Sequence, residues 1–148
     1  MNDEMIWRIR WFIYDQFAKT GLPADAEMTA EYFGMERDKA AECYSELHRR
    51  HALLLDLETN KVRMAWPFSG IPTRFRVVAN GVIYWANCAW DSLGIPAAVH
   101  CDAEIEVFDA WSNEAIRLII HAGQPIHSNE RIFFSTPFKR WYDDLIFT

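Results

Sequence analysis

Between residues 4 and 19 the apolar positions recur at helical spacing. Ile6, Ile9, Ile13 and Phe17 form one stripe, with Trp7, Trp11 and Tyr14 beside it. An apolar arc that wide predicts a helix wedged between other elements, closed by Thr20, Gly21 and Pro23. A short second helix is expected over about 29–33, with Thr29 as its N-cap and Gly34 as its stop. A third, over about 36–51, buries Ala40, Cys43, Tyr44 and Leu47. LLLDL and KVRMAW, flanking Glu58-Thr59-Asn60, then predict a hairpin.

The stretch 67–74, PFSGIPTR, is rich in proline and glycine and is read as the connection between two subdomains. Residues 1–66 form a winged-helix-like unit, and residues 75–148 carry the remainder. FRVVA and VIYWA flank Asn80-Gly81, the signal for a hairpin with a type I′ turn. Residues 88–99 read as a helix interrupted by Gly94 and Pro96. Strands follow at EIEVF, with Ile105 and Val107 inward, at AIRLII and at RIFFS, before Pro137 opens a helical turn over PFKRWYDD. The whole predicts an α+β fold: a winged-helix-like three-helix unit packed on a small, mostly antiparallel sheet that carries a cysteine-bearing helix.

A chain of 148 residues with 51% hydrophobic and 15% aromatic content can bury a core of its own. Fifteen basic against 21 acidic residues give a net charge of −6, which argues against an electrostatic grip on nucleic acid or anionic lipid. A winged helix that reads DNA would place its third helix in the major groove. Here residues 1–66 hold 12 acidic and 9 basic residues, so that unit reads as structural, with DNA-binding regulation a reading that rests on topology alone. No signal-peptide pattern and no bilayer-length apolar run is visible, so no membrane partner is expected. Three cysteines, an odd number, fit free thiols in a reducing cytoplasm.

Chemistry concentrates in Tyr84-Trp85-Ala86-Asn87-Cys88-Ala89-Trp90-Asp91-Ser92-Leu93-Gly94-Ile95-Pro96. If Cys88 opens the helix, the positive end of the backbone dipole favours its thiolate. Asp91 falls on the same side one turn later. A thiol and a carboxylate so spaced can relay a proton or jointly bind a soft metal ion. They also oppose each other's ionisation, so the pair most easily holds a single shared proton. The same spacing equally suits a buried thiol beside an exposed carboxylate.

Cys-Ala-x-Asp followed by Ser-Leu-x-x-Pro, after a hydrophobic hairpin ending in Tyr-Trp, resembles the signature of the alkylmercury lyase family. Gly-Ile-Pro-Thr-Arg-Phe at 70–75 and Phe-Phe-Ser at 133–135 fall in that family's order as well. The resemblance implies a cytoplasmic enzyme that cleaves a carbon–mercury bond by protonolysis, releasing a hydrocarbon and Hg(II). Cys88 then matches the mercury-binding, nucleophilic cysteine and Asp91 the proton-handling aspartate, both in contact with the metal. No organic cofactor is implied. The partner is a small organomercurial or its thiol adduct, or another soft organometal. The family's second cysteine precedes the aromatic pair matched by Phe133-Phe134, where this chain has His127-Ser128-Asn129-Glu130-Arg131-Ile132 and no thiol. A non-catalytic module of the same fold that binds or senses mercury is the alternative.

The remaining candidates are weaker. Cys101, with His100 beside it, is a substitute second ligand if the chain folds back toward Cys88, and Ser128 occupies the lost cysteine's place. Cys43 is read as core, and His48 and His51 as lying on a solvated face. His121 and His127 lack zinc-site spacing, and Trp141-Tyr142-Asp143-Asp144 reads as a surface turn.

Overall fold

A computed structural model describes residues 2–126 and 128–145. Helix α1, Asp3–Thr20, is capped by Asn2, whose side chain accepts from the Glu4 N–H, and it ends on Gly21 at φ 77°. Ile6, Ile9, Ile13 and Phe17 are completely buried, as their spacing predicts. The other half of the arc is not wedged: Trp7 is 48% and Trp11 61% exposed. Phe12 turns inward instead and stacks on Tyr32 with ring centroids 4.3 Å apart. Periodicity locates the apolar arc, but only tertiary neighbours decide how much of it is covered.

Helix α2, Ala26–Phe33, begins earlier than predicted because Asp25 takes the N-cap, accepting from the Met28 N–H. Thr29 is therefore not a cap. It is fully buried within the helix, with its hydroxyl 2.9 Å from that of Tyr44. Helix α3, Arg37–Arg49, buries Ala40, Cys43, Tyr44 and Leu47. Strands β1, Leu54–Leu55, and β2, Val62–Ala65, form the expected hairpin. Phe68–Ser69, within the connecting segment, adds β3 to complete an antiparallel sheet in the order β1-β2-β3.

The second sheet is antiparallel throughout, in the order β5-β4-β6-β7-β8. Strands β4, Arg76–Ala79, and β5, Val82–Trp85, are joined by Asn80 and Gly81, both at positive φ, as a type I′ turn demands. Helix α4, Ala89–Val99, runs unbroken through Gly94 and Pro96 rather than being interrupted there. Its Ile95 and Pro96 are buried, and that packing offsets the backbone bond that proline removes. Strands β6, Ala103–Phe108, and β7, Ala115–His121, follow, with Ile105 and Val107 buried.

RIFFS is not a strand. The place beside β7 is taken by β8, Gln124–Pro125, and proline has no N–H with which to extend the ladder. Residues 130–136 instead border a cavity beside Cys88. A 3₁₀ helix, Phe138–Asp143, occupies the predicted last turn.

One buried cluster runs from Ile6 on α1 to Ile120 on β7. Phe68 lies at its junction, stacked on Phe17 at 5.1 Å and tilted against Tyr84 at 5.7 Å. The Tyr84 hydroxyl donates to the Ala18 carbonyl at 2.7 Å. These contacts tie the three-helix part to β5, the strand that leads into the cysteine-bearing helix.

Candidate functional site

The apolar strand β5 ends at Trp85, and the chain then passes through Ala86 and Asn87 to Cys88, the N-cap of α4. Cys88 is extended there, at φ −150°, which points its side chain back over the first turn, where Sγ accepts from the Asp91 N–H at 3.5 Å. The thiol also makes a hydrogen-bonded contact with the Asp91 carboxyl. The two groups paired by spacing are thus brought together by the local geometry of a helix start.

Electrostatically the site differs from the simple dipole picture. Burial is the largest effect on Cys88 and pushes its thiol up, and the neighbouring Asp91 charge pushes it further. The backbone N–H groups of Asp91 and Trp90 pull it down, but they are outweighed. Burial also raises the Asp91 carboxyl, against hydrogen bonds from Asn87 and Cys88 that lower it. Both groups are held toward their neutral forms, chiefly by burial. The half-buried Tyr14 hydroxyl of α1 accepts from Arg10 Nη2 at 3.1 Å and feels the Asp91 charge.

In front of Cys88 lies a cavity of about 340 Å³. Its walls are mainly apolar: Phe75, Trp90, Val107, Phe108, Ile116 and Leu118, closed on one side by Ile132 and Phe134, with Phe133 largely exposed at the rim. Phe134 meets the Trp90 ring edge-on at 6.1 Å and stacks on Trp141 at 5.4 Å, which fixes the closing segment to α4. Asp91 does not line the cavity. Cys88 is where the cavity and the carboxyl meet.

The other candidates lie elsewhere. Cys88 and Cys101 bracket the 11 residues of α4, a separation of about 16 Å at helical rise, so Cys101 does not complete the site. His100 is the left-handed cap at that far end. Ser128 is exposed and accepts from the Glu130 N–H at 3.2 Å. Ser135, not Ser128, reaches the cavity wall. His127 lies outside the described residues. His48 is not on a solvated face: it is half-buried, and its Nδ1 accepts from the Leu55 N–H at 3.1 Å. His51 stacks on Tyr142, and His121 pairs with Asp102 at the surface. Among the described residues, no three His, Cys, Asp or Glu side chains gather as a metal cluster.

A family model for alkylmercury lyase matches residues 68–146, more than half of the chain. The chain belongs to the alkylmercury lyase family. The match includes Cys88, Asp91 and the segment that closes the cavity. The mercury-bound form of MerB2 is similar in fold, with a TM-score of 0.66 at 19% identity over 87% of this chain. The chain spans only 61% of that neighbour. Among curated proteins, none matches. Among the described residues, no helix is long and apolar enough to cross a membrane.

Two parts of the site escape a linear reading. Asn87, which contacts Asp91, is signalled only as a lone polar residue at the end of an apolar strand. Tyr14 reads as one more aromatic on the α1 arc, and its place near Asp91 depends on tertiary packing.

Proposed function

We propose that this chain is an alkylmercury lyase-like enzyme that cleaves a carbon–mercury bond by protonolysis. The observation carrying this reading is Cys88 in the wall of an apolar cavity, its sulfur accepting from the Asp91 N–H one turn along α4, within the region that matches the family. The substrate enters as a thiol adduct. Cys88 displaces that thiol, which leaves as its thiolate while the Cys88 proton passes to the Asp91 carboxylate, and the soft sulfur–mercury bond forms. The organic group lies against the apolar wall. Asp91 then gives a proton to the carbon as the carbon–mercury bond breaks, which releases the hydrocarbon. Hg(II) stays on the Cys88 sulfur and the Asp91 carboxylate until small thiols in a reducing cytoplasm remove it. Residues 1–66 act as the winged-helix-like scaffold behind the site, and residues 75–148 as the catalytic part.

The test is incubation with methylmercury and excess thiol, following methane and Hg(II). Turnover that is lost in Cys88→Ser supports the mechanism, and unchanged turnover in that variant removes it. One observation favours a second reading, mercury binding without catalysis. No further thiol lines the cavity among the described residues, and a hydroxyl is a poor ligand for a soft metal. Stoichiometric Hg(II) binding with no hydrocarbon released is the result expected of that reading.

A further inference from the structure

Asn87, half-buried between β5 and α4, takes no part in the reaction as written above. Its amide nitrogen has three acceptors in reach: Asp91 Oδ2 at 2.9 Å, the Phe68 carbonyl at 3.2 Å and the Pro67 carbonyl at 3.3 Å. A primary amide has two N–H groups. One is directed at the carboxyl, and the other is shared between two successive carbonyls at the start of β3. The amide oxygen is buried with no hydrogen-bond partner among the described residues.

That orphaned oxygen shows how firmly the amide is oriented. Turning the amide over would place Oδ1 against the two backbone carbonyls, which can only accept. The N–H groups would lose both of those partners as well. A protonated Asp91 could reward the flip with one hydrogen bond, whereas the two carbonyls oppose it whatever the state of Asp91. Asn87 therefore presents a donor to Asp91 and leaves its own acceptor unsatisfied, a cost that only a strongly determined arrangement bears.

We propose that Asn87 is a positioning residue for Asp91. It holds the carboxyl by Oδ2 and so confines the transferable proton to Oδ1, the oxygen the amide leaves unoccupied. What that proton does rests on the lyase reading; the tether does not. In the reaction the O–H electrons stay on the Asp91 carboxylate, the proton forms the new C–H bond using the electrons of the breaking carbon–mercury bond, and mercury remains on sulfur. The Asn87 N–H stabilises the carboxylate that results.

Two measurements on the full chain decide it. Urea unfolding of Asn87→Ala, Asp91→Ala and the double variant forms a thermodynamic cycle. The product of the two single effects on the unfolding constant should exceed the double effect roughly fivefold or more. Independent effects overturn the tether. If Asn87→Ala does not fold, Asn87→Ser, too short to reach all three acceptors, takes its place. In turnover of methylmercury with excess thiol, Asn87→Ala should lower kcat by about 10- to 100-fold, with KM within about twofold and Hg(II) binding stoichiometry retained. Asn87→Gln, which keeps the amide, should recover part of the loss. Asn87→Asp, of the same shape but without the donor, should not. Full kcat in Asn87→Ala overturns the positioning role. If the unsubstituted chain turns over no organomercurial, the lyase reading fails, and the unfolding cycle alone still decides whether Asn87 holds Asp91.

Discussion

Replacing Gly21 by alanine separates two costs that usually come together. Gly21 ends α1 at φ 77° and Gly34 ends α2 at φ 63°, so alanine at either position adopts a left-handed conformation at about 1 kcal/mol. The surroundings differ. At Gly34 an added Cβ meets nothing within 4 Å, whereas at Gly21 it would stand 2.1 Å from the Ile83 carbonyl oxygen of β5. No side-chain rotation relieves a clash with backbone, so α1 and β5 must move apart. A shift of that kind in a packed interior costs about 2–3 kcal/mol more. Gly21→Ala should therefore lose about 3–4 kcal/mol and Gly34→Ala about 1 kcal/mol. For a chain of this size that corresponds to a fall in Tm of roughly 8–15 °C against roughly 2–4 °C. Urea and thermal unfolding, followed by tryptophan fluorescence at fixed pH, measure both. Losses for the two variants within about 0.5 kcal/mol of each other would falsify the claim that α1 and β5 are in rigid contact through Gly21.

Three further outcomes follow from the site and its surroundings. Burial and the Asp91 charge hold the Cys88 thiol above its usual range, so alkylation of Cys88, read by peptide mass spectrometry, should be slow at neutral pH and accelerate only in alkali. Asp91→Asn removes the charge and should move that rise to lower pH; a rise that stays in place refutes the electrostatic account. Glu46, bonded by Arg49 and Arg50, is held down to about 2 from an ordinary 4.5. Its contribution to stability is present above the ordinary value and lost as pH falls toward the lower one, so Glu46→Gln should flatten the acid limb of a stability–pH curve between those values. Cys101→Ser, at the far end of α4, should leave Hg(II) affinity within about twofold; a larger loss by competition titration would place the second thiol at the site after all.

Much of this structure is legible in one dimension because its signals are local. The α1 and α3 stripes, the Asn80-Gly81 turn and the placing of Cys88 and Asp91 on one helix turn each depend on residues a few positions apart. The failures are places where distant chain competes. Thr29 is a sound N-cap in isolation, but Asp25 caps first and Tyr44 claims the hydroxyl. RIFFS has the composition of a strand, yet β8 holds the edge of β7 and Phe134 packs on Trp90 and Trp141 instead. The Cys88 thiolate is favoured by its helix start and disfavoured by burial, and burial is not a local property.

Cys88 is at once the proposed ligand and the cap of α4, and one sulfur cannot serve both roles fully. A metal that takes the Sγ lone pairs competes with the Asp91 N–H that now donates to them. Capture of mercury is therefore linked to fraying of the first turn of α4, the turn that carries Asp91. Amide hydrogen exchange at Asp91 should quicken when Hg(II) is bound. The Asn87 amide still holds the carboxyl while the turn loosens, and the turn closes again on the sulfur once the metal is gone.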